Sequence, residues 1–269
     1  MYAFAGPLAF AKSGIDWKSL ASTDVKPLKP VVGNIYSVGK EVMVSTDHPL
    51  ATEAALWALA RGGNAADAYM TAAIAQCVLE PTMTTLAGGF GLGYFNAEKG
   101  GMQMSGCGFA PPAALPYDLP YDEARAWTGW SALVPGFLRG LQVTHENIGR
   151  LPWKDLWEPG IAFAENGFVM DHILWGHSIA HRKMLGRFEG AGRDTWMADG
   201  YMPEIGSRFR QPELAATMRQ LQRHGADWFY QGEFAKSFVD KVNRHGGQFT
   251  MDDMAAMQGY STPPTTPGP

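Results

Sequence analysis

The sequence predicts an α+β fold in which helices are many and strands are few. Residues 43–101 contain two apolar helical segments followed by alternating apolar residues and a turn, which is the pattern of a β-hairpin. From residue 134 onward, helix-start and helix-stop signals follow at short intervals with little strand pattern between them. With 269 residues, of which 46% are hydrophobic, the chain can bury one large core or two small ones.

The first two predicted helices span residues 50–61 and 64–79. Thr46 or Asp47 is expected to cap the first helix, and Asn64 is expected to cap the second. The second helix is apolar on nearly every face, so we expect it to be buried on all sides.

The hairpin is predicted to pair residues 89–95 with residues 102–105. Its glycines, Gly89, Gly91 and Gly93, resemble a phosphate-binding loop in spacing. A phosphate loop joins a strand to the start of a helix, whereas these glycines lie within a strand that leads to a turn. We therefore expect them to serve close backbone packing rather than nucleotide binding.

The remainder of the chain is predicted to be mainly helical. Residues 190–210 are interpreted as a loop, because they are rich in Gly, Asp and Met. The helices predicted around it cover residues 135–149, 153–166, 172–185, 212–225, 227–247 and 251–258.

One domain is predicted over residues 42–258. Residues 1–41 are interpreted as an N-terminal arm that packs on the domain, because no basic residues precede its apolar stretch as they would in an export signal. Residues 259–269 are rich in Pro and Thr and are predicted to be a disordered tail.

Charge and composition restrict the possible partners and location. A net charge of −4 gives no electrostatic case for nucleic acid or an anionic membrane, so neither partner is expected. No apolar run is long enough to predict a transmembrane helix. We expect a cytoplasmic protein, or a periplasmic one if the N-terminus is incomplete. The two cysteines cannot define a disulfide framework, and Cys77, among apolar helical neighbours, is expected to act as a small hydrophobic residue.

Two histidine patterns allow more than one interpretation. His177 and His181 share a helical face at a spacing that zinc can use, but no third ligand is evident, so we favour a solvated helix end and expect no metal or cofactor. His48, between Asp47 and Pro49, suits a helix-start network as well as catalysis. The Gly-x-Ser-x-Gly pattern of α/β-hydrolases does not occur in the sequence.

Several segments, taken in order, resemble the large subunit of the γ-glutamyltranspeptidase family, which includes cephalosporin acylases and other amidohydrolases. They include MVSTDHPLATEAALWALARGGNAADA, VLEPTMTTLAGGFGLGYF and ALVPGFLRGLQVTHENIGRLPWKDLWEPGIAFAENGF, and together they run from about Val42 to Met257. The resemblance implies the αββα sandwich of N-terminal nucleophile hydrolases, incomplete in this chain.

The same resemblance implies the chemistry. A proenzyme of this family cleaves itself ahead of a threonine, whose hydroxyl then attacks an amide while its own α-amine acts as the base. That threonine is expected in a small subunit, the implied partner, and the substrate is expected to be a γ-glutamyl or related small amide, such as glutathione. Thr265 and Thr266 lack the Thr-x-His pattern of a small-subunit start. We therefore expect no catalytic residue in this chain and no activity from it alone.

One expected substrate contact is missing. Relatives that act on γ-glutamyl groups carry an arginine ahead of an Ala-Pro pair, where its guanidinium binds the substrate carboxylate. Matching that pair to Ala110-Pro111 places Cys107 at the arginine position, as a neutral wall of the substrate pocket rather than a reactive thiol. The glutamyl headgroup is therefore in doubt, unless Arg125 reaches the site from the following loop.

Two alternatives stay open from the sequence. The protein is either an amide hydrolase or acyltransferase, for γ-glutamyl or for other acyl groups, or a truncated and inactive relative that acts at most as a binding protein. A sheet left with unpaired edges aggregates readily, so we also expect poor solubility of this chain alone.

Overall fold

The fold of the chain, seen in a computed structural model, consists of two compact units. The structure describes the backbone of residues 2–4 and then residues 39–98, 100–115 and 122–265. The first unit comprises Met1–Thr85 and Arg150–Arg219, and the second comprises Leu86–Gly149 and Gln220–Pro269. The boundaries of a single domain over residues 42–258 stay a prediction.

Helices dominate the described residues, in agreement with the predicted α+β class. They are α1 Pro49–Ala60, α2 Ala65–Leu79, α3 Phe137–Ile148, α4 Trp153–Leu156, α5 Glu158–Asn166, α6 His172–Ala180, α7 Arg182–Leu185, α8 Ala191–Trp196, α9 Pro212–His224, α10 Asp227–Gln231, α11 Glu233–Arg244 and α12 Met251–Ala255, with 3-10 turns at Gly129–Ser131 and Ala198–Gly200. The strands are β1 Tyr2–Phe4, β2 Val44–Thr46, β3 Phe90–Phe95, β4 Met102–Cys107, β5 Phe168–Val169, β6 Arg208–Phe209 and β7 Tyr260–Ser261.

The first unit is built on α1 and α2, which pack against each other, with α5 against α2. Asn64 caps α2 as predicted, and its side chain accepts from the Asp67 N–H at 2.9 Å. The predicted cap of α1 is wrong. His48 is the N-cap, because its Nδ1 accepts from the Leu50 N–H at 3.1 Å, while the Thr46 hydroxyl donates to the His48 carbonyl at 2.8 Å.

Asp67 also joins α2 to the start of the segment that leads into α4. Its carboxylate accepts from the Asn64 N–H at 2.8 Å, from the Arg150 N–H at 3.0 Å and from the Leu151 N–H at 3.3 Å. The side chain is fully buried. One buried carboxylate thus accepts from backbone donors of two segments and holds them together.

The second unit is built on an antiparallel sheet in the order β3-β4-β7. The hairpin prediction is confirmed, with β3 paired to β4 from Phe90 opposite Cys107 to Phe95 opposite Met102. Helix α3 packs on one face of this sheet. Because side chains of paired residues share a face, Phe90 and Cys107 both point towards α3. The buried hydrogen bond between the hydroxyls of Ser105 and Thr144, at 2.6 Å, also lies at this interface.

Among the residues that the structure describes, the opposite face of the sheet is exposed. Phe95, Met102, Met104 and Tyr260 are about half exposed there, and Gly91 and Gly93 occupy the same face. Such an apolar surface is unusual for a sheet that nothing covers. Within the described residues, helix α3 therefore covers one face of the sheet and the other face is uncovered.

Among the described residues, the glycines of β3 make no close packing contact, contrary to the expectation. A Cβ on Gly91 would meet nothing within 4 Å, and one on Gly93 would meet the Met104 sulfur at 3.5 Å, an ordinary contact. The close approach occurs on the partner strand, where a Cβ on Gly106 would lie 2.4 Å from the Phe90 carbonyl oxygen. In β3, because Gly91 and Gly93 have no side chains, the backbone itself is accessible on the open face.

Two further expectations need correction. Tyr260–Ser261 pairs with β4 and Thr265 bridges to Met102, so the prediction of a disordered tail is wrong as far as residue 265. Residues 190–210, predicted to be a loop, contain α8 and β6.

The predicted N-terminal arm is mostly outside the described residues. Its residues 2–4 form β1, which pairs with β2. In the part of the chain that the structure describes, no helix has the length and apolar character needed to cross a lipid bilayer.

Candidate functional site

Cys107, the predicted substrate-binding residue, is the last residue of β4 and is only 4% exposed. Its Sγ donates to the Gln258 carbonyl oxygen at 3.2 Å. Burial raises the pKa of the thiol, and the nearby Arg139 guanidinium opposes this only in part. A thiol with a raised pKa is neutral and a poor nucleophile near pH 7. The side chain therefore presents neither a positive charge nor a reactive thiolate.

The start of α3 closes over Cys107. The N–H groups of Gly136 and Phe137 donate to the Gly88 carbonyl oxygen at 3.0 and 2.8 Å. A Cβ on Gly136 would lie 1.8 Å from the Gly108 carbonyl oxygen and 2.8 Å from the Cys107 Sγ. No side chain larger than hydrogen fits there, so position 107 is enclosed by backbone on the α3 side.

Arg139 supplies a positive charge close to Cys107, and sequence reasoning missed it. It lies in the first turn of α3, with a side chain that is 13% exposed. Its Nε donates to the Met257 carbonyl oxygen at 3.1 Å, and its Nη1 donates to Asp227 Oδ1 at 2.6 Å. Nη1 also donates to Gln142 Oε1 at 2.9 Å.

Tyr230 forms the platform beneath this arginine. The guanidinium carbon lies 4.5 Å from the centre of the Tyr230 ring, a cation–π distance. The phenol donates to the Pro135 carbonyl oxygen at 2.8 Å and accepts from the Arg139 N–H at 3.2 Å. Burial strongly raises the pKa of Tyr230. A phenol with such a pKa stays protonated, so Tyr230 positions Arg139 and is not a candidate base.

Arg139 lines an open cleft of about 430 Å³. Gln231 and Gln258 are exposed in it, and their side-chain amides make no hydrogen bond to any residue that the structure describes. Glu146 lies farther along α3 and accepts from the Gln142 amide at 2.8 Å. The cleft is lined by Arg139, Gln142, Val143, Glu146, Gln231, Ala255, Met257, Gln258 and Gly259.

A signal for this cleft was present in the sequence. Arg139, Gln142 and Glu146 follow one another at spacings of three and four residues, so a helix places them on one face. What the sequence did not reveal is that residues 255–259 would close the other side.

A larger cleft, of about 710 Å³, lies in the first unit. Two of its lining residues are basic, but the side chains of both donate hydrogen bonds to backbone carbonyl oxygens. Arg208 donates to the carbonyl oxygens of Asn166 and Gly167 at 3.3 and 3.2 Å, and Arg210 donates to that of Asn166 at 3.3 Å. Since these arginines neutralise the C-terminus of α5, we interpret them as structural.

The remaining candidate residues have local roles. Arg125, the possible substitute for the missing arginine, pairs with Asp122 at 3.3 Å and lies over the Trp130 ring. His181 Nδ1 lies 2.8 Å from the carbonyl oxygen of His177. Among the described residues, no three His, Cys, Asp or Glu side chains are grouped so as to hold a metal ion.

His48 takes the helix-start role rather than a catalytic one. Its Nδ1 must be unprotonated to accept from the Leu50 N–H, and burial lowers its pKa to about 4, partly opposed by Asp171. Glu80, which ends α2, has a pKa raised to about 7 by burial and by the negative charges of Asp171 and Asp47. Both groups are therefore substantially neutral between about pH 4 and 7, as burial favours.

Thr265, in the predicted tail, has a structural role. The N–H and the hydroxyl of Thr265 both donate to the Met102 carbonyl oxygen, at 2.9 and 3.1 Å. Thr266 lies outside the described residues.

This chain is similar in sequence to known proteins over most of its own length. It is 33% identical to the glutathione hydrolase proenzyme of Bacillus subtilis and 30% identical to the oxamate amidohydrolase proenzyme of Klebsiella pneumoniae, covering 86% of this chain in both cases. These matches cover 43% and 45% of the relatives, so the chain spans less than half the length of the curated relatives it matches.

The fold is similar to that of the γ-glutamyltranspeptidase of Pseudomonas nitroreducens, solved as a complex with L-DON. The TM-score is 0.72 at 26% identity, over 81% of this chain and 65% of that one. This likeness confirms the predicted fold class. The sequence profile of the γ-glutamyltranspeptidase family matches residues 51–266. The chain therefore belongs to the γ-glutamyltranspeptidase family.

Proposed function

We propose that the protein containing this chain is an amide hydrolase or acyltransferase that works through an N-terminal threonine supplied by a small subunit. The observation that carries this proposal is the half-covered sheet β3-β4-β7 in a chain that belongs to the family. Relatives named as proenzymes support a processed small subunit as the partner.

The open face of this sheet is the expected contact for the small subunit. An αββα sandwich packs two sheets face to face, with side chains of both inner faces forming the core. Phe95, Met102, Met104 and Tyr260 would become part of that core, and the glycines of β3 would let the second sheet approach. Burial of this apolar surface would drive the association.

The structure also bears on the acyl group. At position 107 the chain has a neutral, enclosed thiol whose hydrogen bond is already made to the Gln258 carbonyl. It cannot form the charge-assisted contact that a guanidinium makes with a carboxylate. We therefore propose that the preferred acyl group is not γ-glutamyl, and that a small or uncharged acyl amide is the better substrate.

The test is hydrolysis by the processed protein, expressed from its complete reading frame. γ-Glutamyl p-nitroanilide and neutral acyl p-nitroanilides are compared by kcat/KM. We expect cleavage of a neutral substrate to exceed that of the γ-glutamyl compound. Strong preference for the γ-glutamyl compound would overturn the proposal on the acyl group, and absence of self-processing and of all amidase activity would overturn the proposed function.

Cys107→Ser is a suitable control in this assay. A serine hydroxyl can donate to the Gln258 carbonyl in place of the thiol, so the enclosure is kept while sulfur is removed. We expect the variant to keep its activity and substrate preference, because the thiol is not proposed to react.

A further inference from the structure

The cleft beside Arg139 has the size and the polar lining of a small-molecule site. We propose that it binds the carboxylate of a small ligand of amino-acid size, with Arg139 as the anchoring cation. The cleft volume of about 430 Å³ lies within the range of small-molecule sites. Since the proposal concerns binding, it can be tested without turnover.

The position of Arg139 in its helix is unfavourable for stability alone. A cation in the first turn of a helix opposes the helix dipole, which favours negative charge at that end. At 13% exposure, the side chain has also lost much of its hydration. An arginine placed at this cost, over an aromatic ring that fixes its plane, is arranged to receive an anion.

Its hydrogen bonding leaves one side of the guanidinium available. Nε and Nη1 are bonded, whereas Nη2 makes no hydrogen bond to any residue in the described parts of the chain. Nη2 is not among the fully buried atoms without a partner, so solvent or a ligand can reach it. A carboxylate oxygen at Nη2 would complete the donor set of Arg139.

Asp227 acts as an internal substitute for that carboxylate. It bonds Nη1 at 2.6 Å, yet its own side chain is 65% exposed. An exposed aspartate gains little from such a pair, because water solvates it well when it is released. A ligand carboxylate can therefore displace it at small cost and bind both Nη groups.

The other lining residues restrict the ligand. The side-chain amides of Gln231 and Gln258, with no partner among the described residues, can bond to its polar groups. Glu146 places a negative charge at the other end of the cleft, which disfavours a dianion and favours a ligand that carries an ammonium group. A free amino acid meets both conditions.

The experiment is isothermal titration of the protein, expressed from its complete reading frame, with L-alanine and with L-alaninol, which lacks the carboxylate and contains no amide that the proposed hydrolase could cleave. We expect L-alanine alone to bind. Arg139→Gln should weaken its binding by about tenfold or more, as loss of a charge-assisted pair does. Asp227→Asn should strengthen it, because the competing carboxylate is gone.

Arg244→Gln is the matched control, because Arg244 forms an exposed ion pair with Asp240 within one helix. It should leave binding unchanged. Asp227→Asn keeps the proposal testable if Arg139→Gln does not fold. Equal binding of alanine and alaninol, no binding of alanine, or weaker binding in Asp227→Asn would each overturn the proposal, whatever amidase activity the protein has.

Discussion

Cys107 and Arg139 bond to neighbouring carbonyl groups of one short segment. The thiol donates to Gln258 O at 3.2 Å, and the guanidinium Nε donates to Met257 O at 3.1 Å. The end of a strand and the first turn of a helix are thereby attached to the same piece of backbone. The positions of the Cys107 thiol and of the Arg139 guanidinium therefore both depend on the backbone of Met257 and Gln258.

Gly136→Ala should strongly destabilise the second unit. The added Cβ would lie 1.8 Å from the Gly108 carbonyl oxygen, which is backbone and cannot move aside as a side chain could. Overpacking typically costs about 1–3 kcal/mol, and we expect a value at or above the upper end. The measurement is the free energy of unfolding from urea denaturation.

Gly91→Ala is the control for this substitution, because nothing lies within 4 Å of its new Cβ. It should change the free energy of unfolding little. Equal stability of the two variants would contradict the close contact between Gly136 and the Gly108 backbone.

Asp67→Ala should clearly destabilise the first unit. It removes the acceptor of the backbone N–H groups of Asn64, Arg150 and Leu151, of which the Leu151 bond is buried and the other two are partly buried. Loss of the acceptor of a buried donor costs about 1–3 kcal/mol, so we expect a loss of about 2 kcal/mol or more in unfolding free energy. Asp252→Ala, at an exposed position in the first turn of α12, should cost less than about 1 kcal/mol.

The dependence of stability on pH should contain two opposed contributions. Glu80 has a folded pKa of about 7, against an ordinary value of 4.5, so the folded state holds its proton longer and stability falls as pH rises from about 4.5 to 7. His48 has a folded pKa of about 4, against an ordinary 6.5, so the unfolded state binds its proton first and stability rises from about pH 4 to 6.5. In the overlap the two slopes offset each other.

Glu80→Gln and His48→Asn should separate these contributions. With Glu80 neutralised, the unfolding free energy should rise with pH between about 4 and 6.5, since the histidine slope is no longer offset by that of Glu80. With His48 replaced by Asn, a good N-cap, stability should instead fall between about 4.5 and 7. Denaturation at several pH values measures both, and parallel profiles for the two variants would contradict the assignment.

The native protein should resist thiol reagents. Cys77 is buried and its pKa is raised to about 12 by burial, and the Cys107 thiol is enclosed with a raised pKa. Since the thiolate is the reactive form, iodoacetamide at pH 8 should label neither residue until the protein is unfolded. Rapid labelling of Cys107 in the native protein would show that position 107 is open.

The sequence predicted helix caps correctly where the capping residues and their hydrogen-bond partners lie within a few residues of each other. Asn64 and Asp67 lie three residues apart, so the cap of α2 could be predicted from the sequence. The cap of α1 could not, because histidine is not a favoured N-cap and the bond depends on a buried, unprotonated ring.

The site was less predictable for a geometric reason. Whether Cys107 faces α3 or the open side depends on strand register, and a shift of one residue would reverse it. The cleft joins Arg139 to Gln231 and to residues 255–259, which are far apart in sequence. No local pattern encodes such a meeting, although the polar stripe along α3 marked one wall of it.

Met104→Glu, on the open face of the sheet, should have opposite effects on this chain alone and on the complete protein. In this chain expressed alone, a charge on the exposed apolar face should raise the soluble fraction, because it opposes edge and face association. In the protein expressed from its complete reading frame, the same carboxylate would be buried against the proposed second sheet, so the yield of processed enzyme should fall. The control is Met184→Glu in the short helix α7, which exchanges an exposed methionine in the first unit and should produce neither effect. Normal processing of Met104→Glu would mean that the small subunit binds elsewhere.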